Sequence, residues 1–463
     1  MKNVSCFIFL ILYSFGIHAQ TTKERLANAV EQFVKGPQME HASLGVVVIN
    51  SETGEKVFEL NPEMGLAPAS CQKIITSATA MEMLGPDYRY KTVLGYDGTI
   101  SGGILKGNLY LIGSGDPSFG SWRYAATKND GQIKLLVQAV KQSGIHKITG
   151  RLIGENGKWG TDITPGGWTW EDMGNYYGAG ITGLNWHENQ YDMFLRSGSA
   201  IGDKVSILRT SPRLNYVHFD NHLTTAAKGS GDQSDIYLPP FSVHGFVRGT
   251  IPANEKAFVI SGSIPDPALQ VTEMLGAGLT KAKLKPLRVT VSNLSRIPVY
   301  KTLYELQSPA LDSLNYWFMK KSINLYGEAL IKTIAYEKKG EGSTEKGLEI
   351  LKQFWKEKGI EPSALHMKDG SGLSPANRVT PTALVQVLQY ARTKSWFKYY
   401  YDALPEYNGM KLKSGTIGGV KAFAGYHTAK DGTPYTVAII VNNYDGSTAE
   451  VIKKMFRVLD ELK

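Results

Sequence analysis

At 463 residues, 42% hydrophobic and 20% charged, the chain is long enough for two or three domains with a large core, and it has no long polar tract, which excludes disorder for any large part. Its formal charge of +9 reads as a basic surface compatible with an anionic polymer outside the cell. No nucleic-acid-binding motif accompanies that charge, which argues against nucleic acid as a partner.

In chain order, Lys2 precedes an uncharged run through Gln20 with an apolar centre at residues 6–13. This is the pattern of a signal peptide over 1–19, cleaved near Ala19, and it predicts a periplasmic mature chain with no transmembrane segment. Cleavage removes one of the two cysteines and leaves Cys71, so no internal disulfide is possible. A helix is expected at 23–34, then a hairpin of strands at 43–49 and 56–60. The hairpin leads into Ala67-Pro68-Ala69-Ser70-Cys71-Gln72-Lys73, the start of a helix that carries only Glu82 as a charge before Gly85. A helix apolar on every face belongs inside a domain. Ser70 and Lys73, three apart, share one face of its first turn, which is the arrangement of a serine activated by a lysine base. Cys71 is turned away from Lys73 and reads as a small buried thiol.

Residues 88–286 alternate short strands with Gly-rich turns and read as a β-rich insertion of two subdomains. Helices are expected at 309–322, 325–336, 343–358 and 381–393, with a Gly-rich loop at 368–374. Strands at 412–416, 422–427 and 435–441 and a helix at 448–462 end the chain. The expected fold is α/β (α+β): an antiparallel sheet flanked by helices, built from 20–87 and 287–463, with the insertion between.

Two further motifs follow Ser70-x-x-Lys73. Ser322-Ile323-Asn324 lies in a helix-to-helix connection, where a hydroxyl and an amide project into a cleft. Lys413-Ser414-Gly415-Thr416 lies on a strand, where Gly415 removes the side chain that would block a substrate. Ser-x-x-Lys, Ser-x-Asn and Lys-Ser-Gly in that order form the three-part signature of penicillin-binding proteins and class A β-lactamases. There is no Gly-x-Ser-x-Gly elbow. The run at 178–183 spells a dinucleotide fingerprint but follows an aromatic loop rather than a strand. Cysteine and histidine spacing offers no zinc site, and neither metal nor cofactor is expected.

With these motifs the chain resembles a class C low-molecular-mass penicillin-binding protein, a D-alanyl-D-alanine carboxypeptidase/endopeptidase. The resemblance extends through residues 111–117, 168–173 and 369–374, with Asn377 and Val379-Thr380-Pro381, and includes the long interval between Ser70 and Ser322. Ser414 stands where threonine is usual and keeps the hydroxyl. The resemblance implies a penicillin-binding transpeptidase-like domain acting on peptidoglycan stem peptides, with β-lactam antibiotics as inhibitors. Ser70 would attack the penultimate D-alanine with Lys73 as base, its amine kept neutral by burial and by the second ammonium at Lys413. The two amines are expected to flank a single hydroxyl. Ser322 would relay a proton to the leaving D-alanine, and Asn324 would orient Lys73. Lys413, Ser414 and Thr416 would take the substrate carboxylate, and backbone N–H groups of Ser70 and Thr416 would form the oxyanion hole. Asp172 matches the family's aspartate for the free amino group of the stem. A β-lactamase or esterase on the same scaffold and a non-catalytic wall-binding protein are the rival readings.

Overall fold

The structure is a computed structural model and describes residues 20–463 except 129–130, 160–161 and 294–299. The expected signal segment lies outside the described residues. Among them, no helix is long and apolar enough to cross a membrane.

A six-stranded antiparallel sheet joins the two ends of the chain. Its order is Glu406–Tyr407, Met410–Ile417, Val420–Thr428, Pro434–Asn442, Ser43–Asn50, Lys56–Leu60. The N-terminal hairpin docks on the C-terminal meander, with Val46 opposite Ile439 and Val48 opposite Val437. Side chains alternate between the faces of a strand. Val46, Val48, Ile439 and Val441 therefore pack beneath the helices Thr22–Val34 and Thr448–Asp460. Val47, Ile49, Ala438 and Ile440 face the other helices. The most enclosed of those helices is Lys73–Met83, buried at every position from Lys73 to Met81.

The insertion has two cores of its own. One lies between a five-stranded sheet and the helices Gly131–Gln142 and Pro267–Lys281, around Leu94, Leu111, Leu136 and Leu275. The other, around Met193, Leu223, Val247 and Ile260, lies between two three-stranded sheets. Lys301–Gln307 pairs with Lys91–Tyr96, which carries the first unit to Gln307, beyond the expected end at 286. The helix Gly131–Gln142, where only β-structure was expected, has a buried stripe of Ile133, Leu136 and Val140. Two short strands follow that helix: Lys147–Ile148 joins a small sheet, and Leu152–Glu155 joins the large one.

Polar contacts fasten the insertion over the helical part. Trp168 Nε1 donates to Asp369 Oδ2 at 2.9 Å, and the Tyr326 hydroxyl donates to Glu188 at 2.9 Å. Glu188 also takes Ser121 Oγ at 2.6 Å and Arg123 Nε at 2.9 and 3.0 Å. His187, Glu188 and Asn189 are all left-handed, with φ of 56°, 53° and 51°. Such backbone is costly for residues other than glycine, and here the buried ion pair and its hydrogen bonds hold it.

Candidate active site

The first turn expected to be α-helical is a 3₁₀ turn, Ala69–Gln72, that runs into the helix Lys73–Met83. Ala69 has φ of 45°, a left-handed conformation worth about 1–3 kcal/mol of strain. It turns Ser70 outward while Ala69, Cys71, Gln72 and Lys73 stay buried. In a 3₁₀ turn residues i and i+3 eclipse. Lys73 Nζ accordingly lies 2.9 Å from Ser70 Oγ. Cys71 Sγ points instead to the carbonyl of Lys413 at 3.1 Å, and burial pushes its thiol up to about 12, so it stays protonated at neutral pH.

Lys73 is fully buried and donates to Asn324 Oδ1 at 2.6 Å and to the Ser371 carbonyl at 2.7 Å. Desolvation first, and then the positive charge of Lys413, hold its amine well below the ordinary lysine range; Asp369 and Glu328 oppose them. Asn324 opens the helix Asn324–Lys339, and its Nδ2 donates to the carbonyl of Tyr177 in the insertion at 2.8 Å. Lys413 Nζ donates to Ser322 Oγ at 3.1 Å and to the Ser414 carbonyl at 2.9 Å. Burial lowers Lys413 to about 8. The two amines thus share a site but not one hydroxyl, contrary to expectation. Lys73 reaches Ser70 from the same helical turn, whereas Lys413 projects from the sheet toward the 321–323 connection. There Ser322, with φ of 57°, is bent toward it.

The strand Met410–Ile417 lies against the 3₁₀ turn at Gly415. A Cβ there would clash with the Pro68 carbonyl and lie 3.0 Å from the backbone nitrogen of Ser70. Thr416 sits opposite Lys421 in the hairpin, and Lys421 Nζ donates to its Oγ1 at 2.7 Å. Ser414 Oγ, in contrast, bonds the Tyr407 hydroxyl at 3.0 Å. Ser70, Ser322, Asn324 and Thr416 open into one cleft of about 830 Å³, and Asp172 lines it as well. Asp172 Oδ2 accepts from Thr169 Oγ1 at 2.8 Å, and desolvation raises its carboxyl above the usual range.

Sequence reasoning missed four residues. Arg123 and Glu188 line the cleft from the insertion, and neither carries a local motif. Asp192, also in the cleft, accepts from Ser261 Oγ at 2.7 Å across a strand pair. Glu328 was legible in principle: it stands four residues after Asn324, on the same helix face.

Most of the chain superimposes on a penicillin-binding-protein fold. The crystal structure of penicillin binding protein 4 from Haemophilus influenzae matches with a TM-score of 0.80 at 21% identity, covering 94% of this chain and 98% of that one. A second structure of that protein, complexed with a novel β-lactam, matches at 0.75. In sequence, a D-alanyl-D-alanine carboxypeptidase of Actinomadura sp. (strain R39) is 26% identical over 454 residues, 91% of this chain and 81% of the relative. The D-alanyl-D-alanine carboxypeptidase DacB of Haemophilus influenzae is 23% identical, covering 99% of this chain and 96% of the relative. The model of the D-Ala-D-Ala carboxypeptidase 3 (S13) family matches residues 26–406, and the chain belongs to that family. It is a serine-type D-Ala-D-Ala carboxypeptidase, a penicillin-binding hydrolase.

Proposed function

We propose that Ser70 is the nucleophile of this carboxypeptidase and that its substrates are the D-alanyl-D-alanine ends of peptidoglycan stem peptides, met in the periplasm. The observation that carries the reading is the 2.9 Å approach of a buried, charge-depleted Lys73 amine to Ser70 Oγ. Ser70 Oγ bonds to the carbonyl carbon of the penultimate D-alanine and gives its proton to neutral Lys73. The C–N bond then breaks, and the terminal D-alanine leaves with a proton relayed through Ser322. Water releases the acyl group from Ser70. Asn324 holds Lys73 in line, while Lys413 and Thr416 meet the substrate carboxylate. Ser414 joins them on exchanging Tyr407 for that carboxylate. Gly415 admits the strand close to Ser70, supporting an oxyanion hole from the Ser70 and Thr416 N–H groups, each donor worth about 10²–10³ in rate. β-Lactams carry an amide and a carboxylate in the same relation, which supports their acylating this serine.

The cleft extends from Ser70 to Arg123, Asp172 and Asp192 of the insertion, which offers contacts to a cross-linked stem as well as to a free one. Endopeptidase activity is therefore expected beside carboxypeptidase activity. Incubation of the purified protein with cross-linked and uncross-linked wall fragments, with products weighed by mass spectrometry, should show loss of terminal alanine from the second and cleavage of the first. Intact fragments in both arms would overturn the reading.

Asp172 is assigned to the free amino group of the stem. Asp172→Ala should lower kcat/KM for amine-bearing stem peptides by about tenfold, the scale of one exposed-to-half-buried ionic contact. N-acylated peptides should lose less than twofold. Equal losses on both would remove the assignment.

A further inference from the structure

Glu328 has no place in that mechanism, yet it is completely buried beside it. Both its carboxylate oxygens accept the Gly370 N–H, at 2.9 and 3.1 Å. The carbonyl of Gly370 is held in turn by Thr76 Oγ1 from the nucleophile helix at 2.6 Å. The next residue, Ser371, supplies the carbonyl on which Lys73 Nζ rests at 2.7 Å. Asn324 and Glu328, i and i+4 on one helix, thus grip the same amine, one directly and the other through a two-residue loop.

We propose that Glu328 is a positioning residue of the acylation step: by holding the Gly370 N–H it fixes the Ser371 carbonyl beneath Lys73 Nζ. The inference rests on the assignment of Ser70 and Lys73 above. A carboxylate at this place would draw Lys73 into an ammonium, useless as a base, and a neutral carboxyl would not. Burial, aided by the neighbouring Asp369 charge, pushes Glu328 up to about 8, so the neutral form prevails at pH 7. The Gly370 hydrogen bond and Lys73 itself work in the opposite direction. The other ionisable groups facing the pair come from several elements. Lys332 lies one turn on along the same helix, its amine lowered by burial and donating to the Asp162 carbonyl. Lys413 from the sheet disfavours charge on Lys73, while Asp369 from the loop and Cys71 favour it.

The test is the second-order rate constant for acylation by a fluorescent penicillin, followed from pH 5 to 10 together with thermal unfolding. Glu328→Gln keeps an oxygen to accept the Gly370 N–H and stays uncharged like the neutral carboxyl it replaces, so its acid limb should stay in place and its maximal rate should remain within about threefold of wild type. Glu328→Asp keeps a carboxyl but falls one methylene short of Gly370, so its maximal rate should drop about 10- to 100-fold with the limb in place. A residue that only stabilised the fold would lower the melting temperature of Glu328→Asp and leave the rate of its folded fraction unchanged, and that outcome overturns the proposal. If Glu328→Gln does not fold, a wild-type rate in Glu328→Asp overturns it equally. Failure of Ser70→Ala to block labelling would instead undo the underlying assignment, so the two failures are distinguishable.

Discussion

Ser70→Ala is expected to leave no covalent labelling by a fluorescent penicillin, even at long incubation, while the protein stays folded. No neighbouring group stands ready to replace the hydroxyl. Ser322 Oγ is bonded to Lys413 rather than to Lys73. Cys71 is buried, directed at the Lys413 carbonyl and protonated up to about 12. The substitution removes one hydrogen bond, a net cost of about 1 kcal/mol, and Lys73 keeps Asn324 and Ser371 as partners. Stoichiometric labelling of the alanine variant would place the nucleophile elsewhere.

Lys73→Met should reduce acylation about 10²- to 10⁴-fold, the usual worth of a positioned general base. Methionine fills the same channel with an unbranched side chain, so the core around the helix Lys73–Met83 is retained. It leaves Asn324 Oδ1 and the Ser371 carbonyl short of a donor, at about 1–3 kcal/mol each, which thermal unfolding will register separately. The pH dependence makes the prediction sharper. In the wild type, Lys73 must be neutral, so the rate falls as pH drops through its lowered pKa. Lys413 must be an ammonium to hold the carboxylate, so the rate also falls as pH rises past about 8. The profile is a bell, and Lys73→Met should erase its acid limb. A variant that keeps the limb, or the wild-type rate, would show that some other group takes the proton.

Much of the site could be read before any coordinates because its parts are local. Ser70 and Lys73 meet through a single turn, and the spacing holds even though that turn is 3₁₀ rather than α. Asn324 follows Ser322 at a helix start, and Lys413, Gly415 and Thr416 lie within four consecutive residues of one strand. The helix Gly131–Gln142 was missed although Ile133, Leu136 and Val140 recur at helical spacing, because the strands and glycine turns around it dominated the reading. Arg123 and Glu188 were not legible: they are 65 residues apart, and nothing in either neighbourhood announces the pair. The end of the insertion at Gln307 depends on a pairing between strands some two hundred residues apart, which no local pattern encodes.

Sequence alone determined which side chains the chemistry has at its disposal and the order in which the chain delivers them. Tertiary structure decided the protonation of those groups and the hydroxyl each one meets. Lys73 loses its charge because helix, loop and sheet close over it and bring the Lys413 ammonium within electrostatic reach, against the opposing pull of Asp369 and Glu328. Those groups stand 255 to 340 positions away along the chain, from the helix Asn324–Lys339 to the final strands. A pKa is set by the solvent excluded and the charges gathered around a group, and both are properties of the folded molecule.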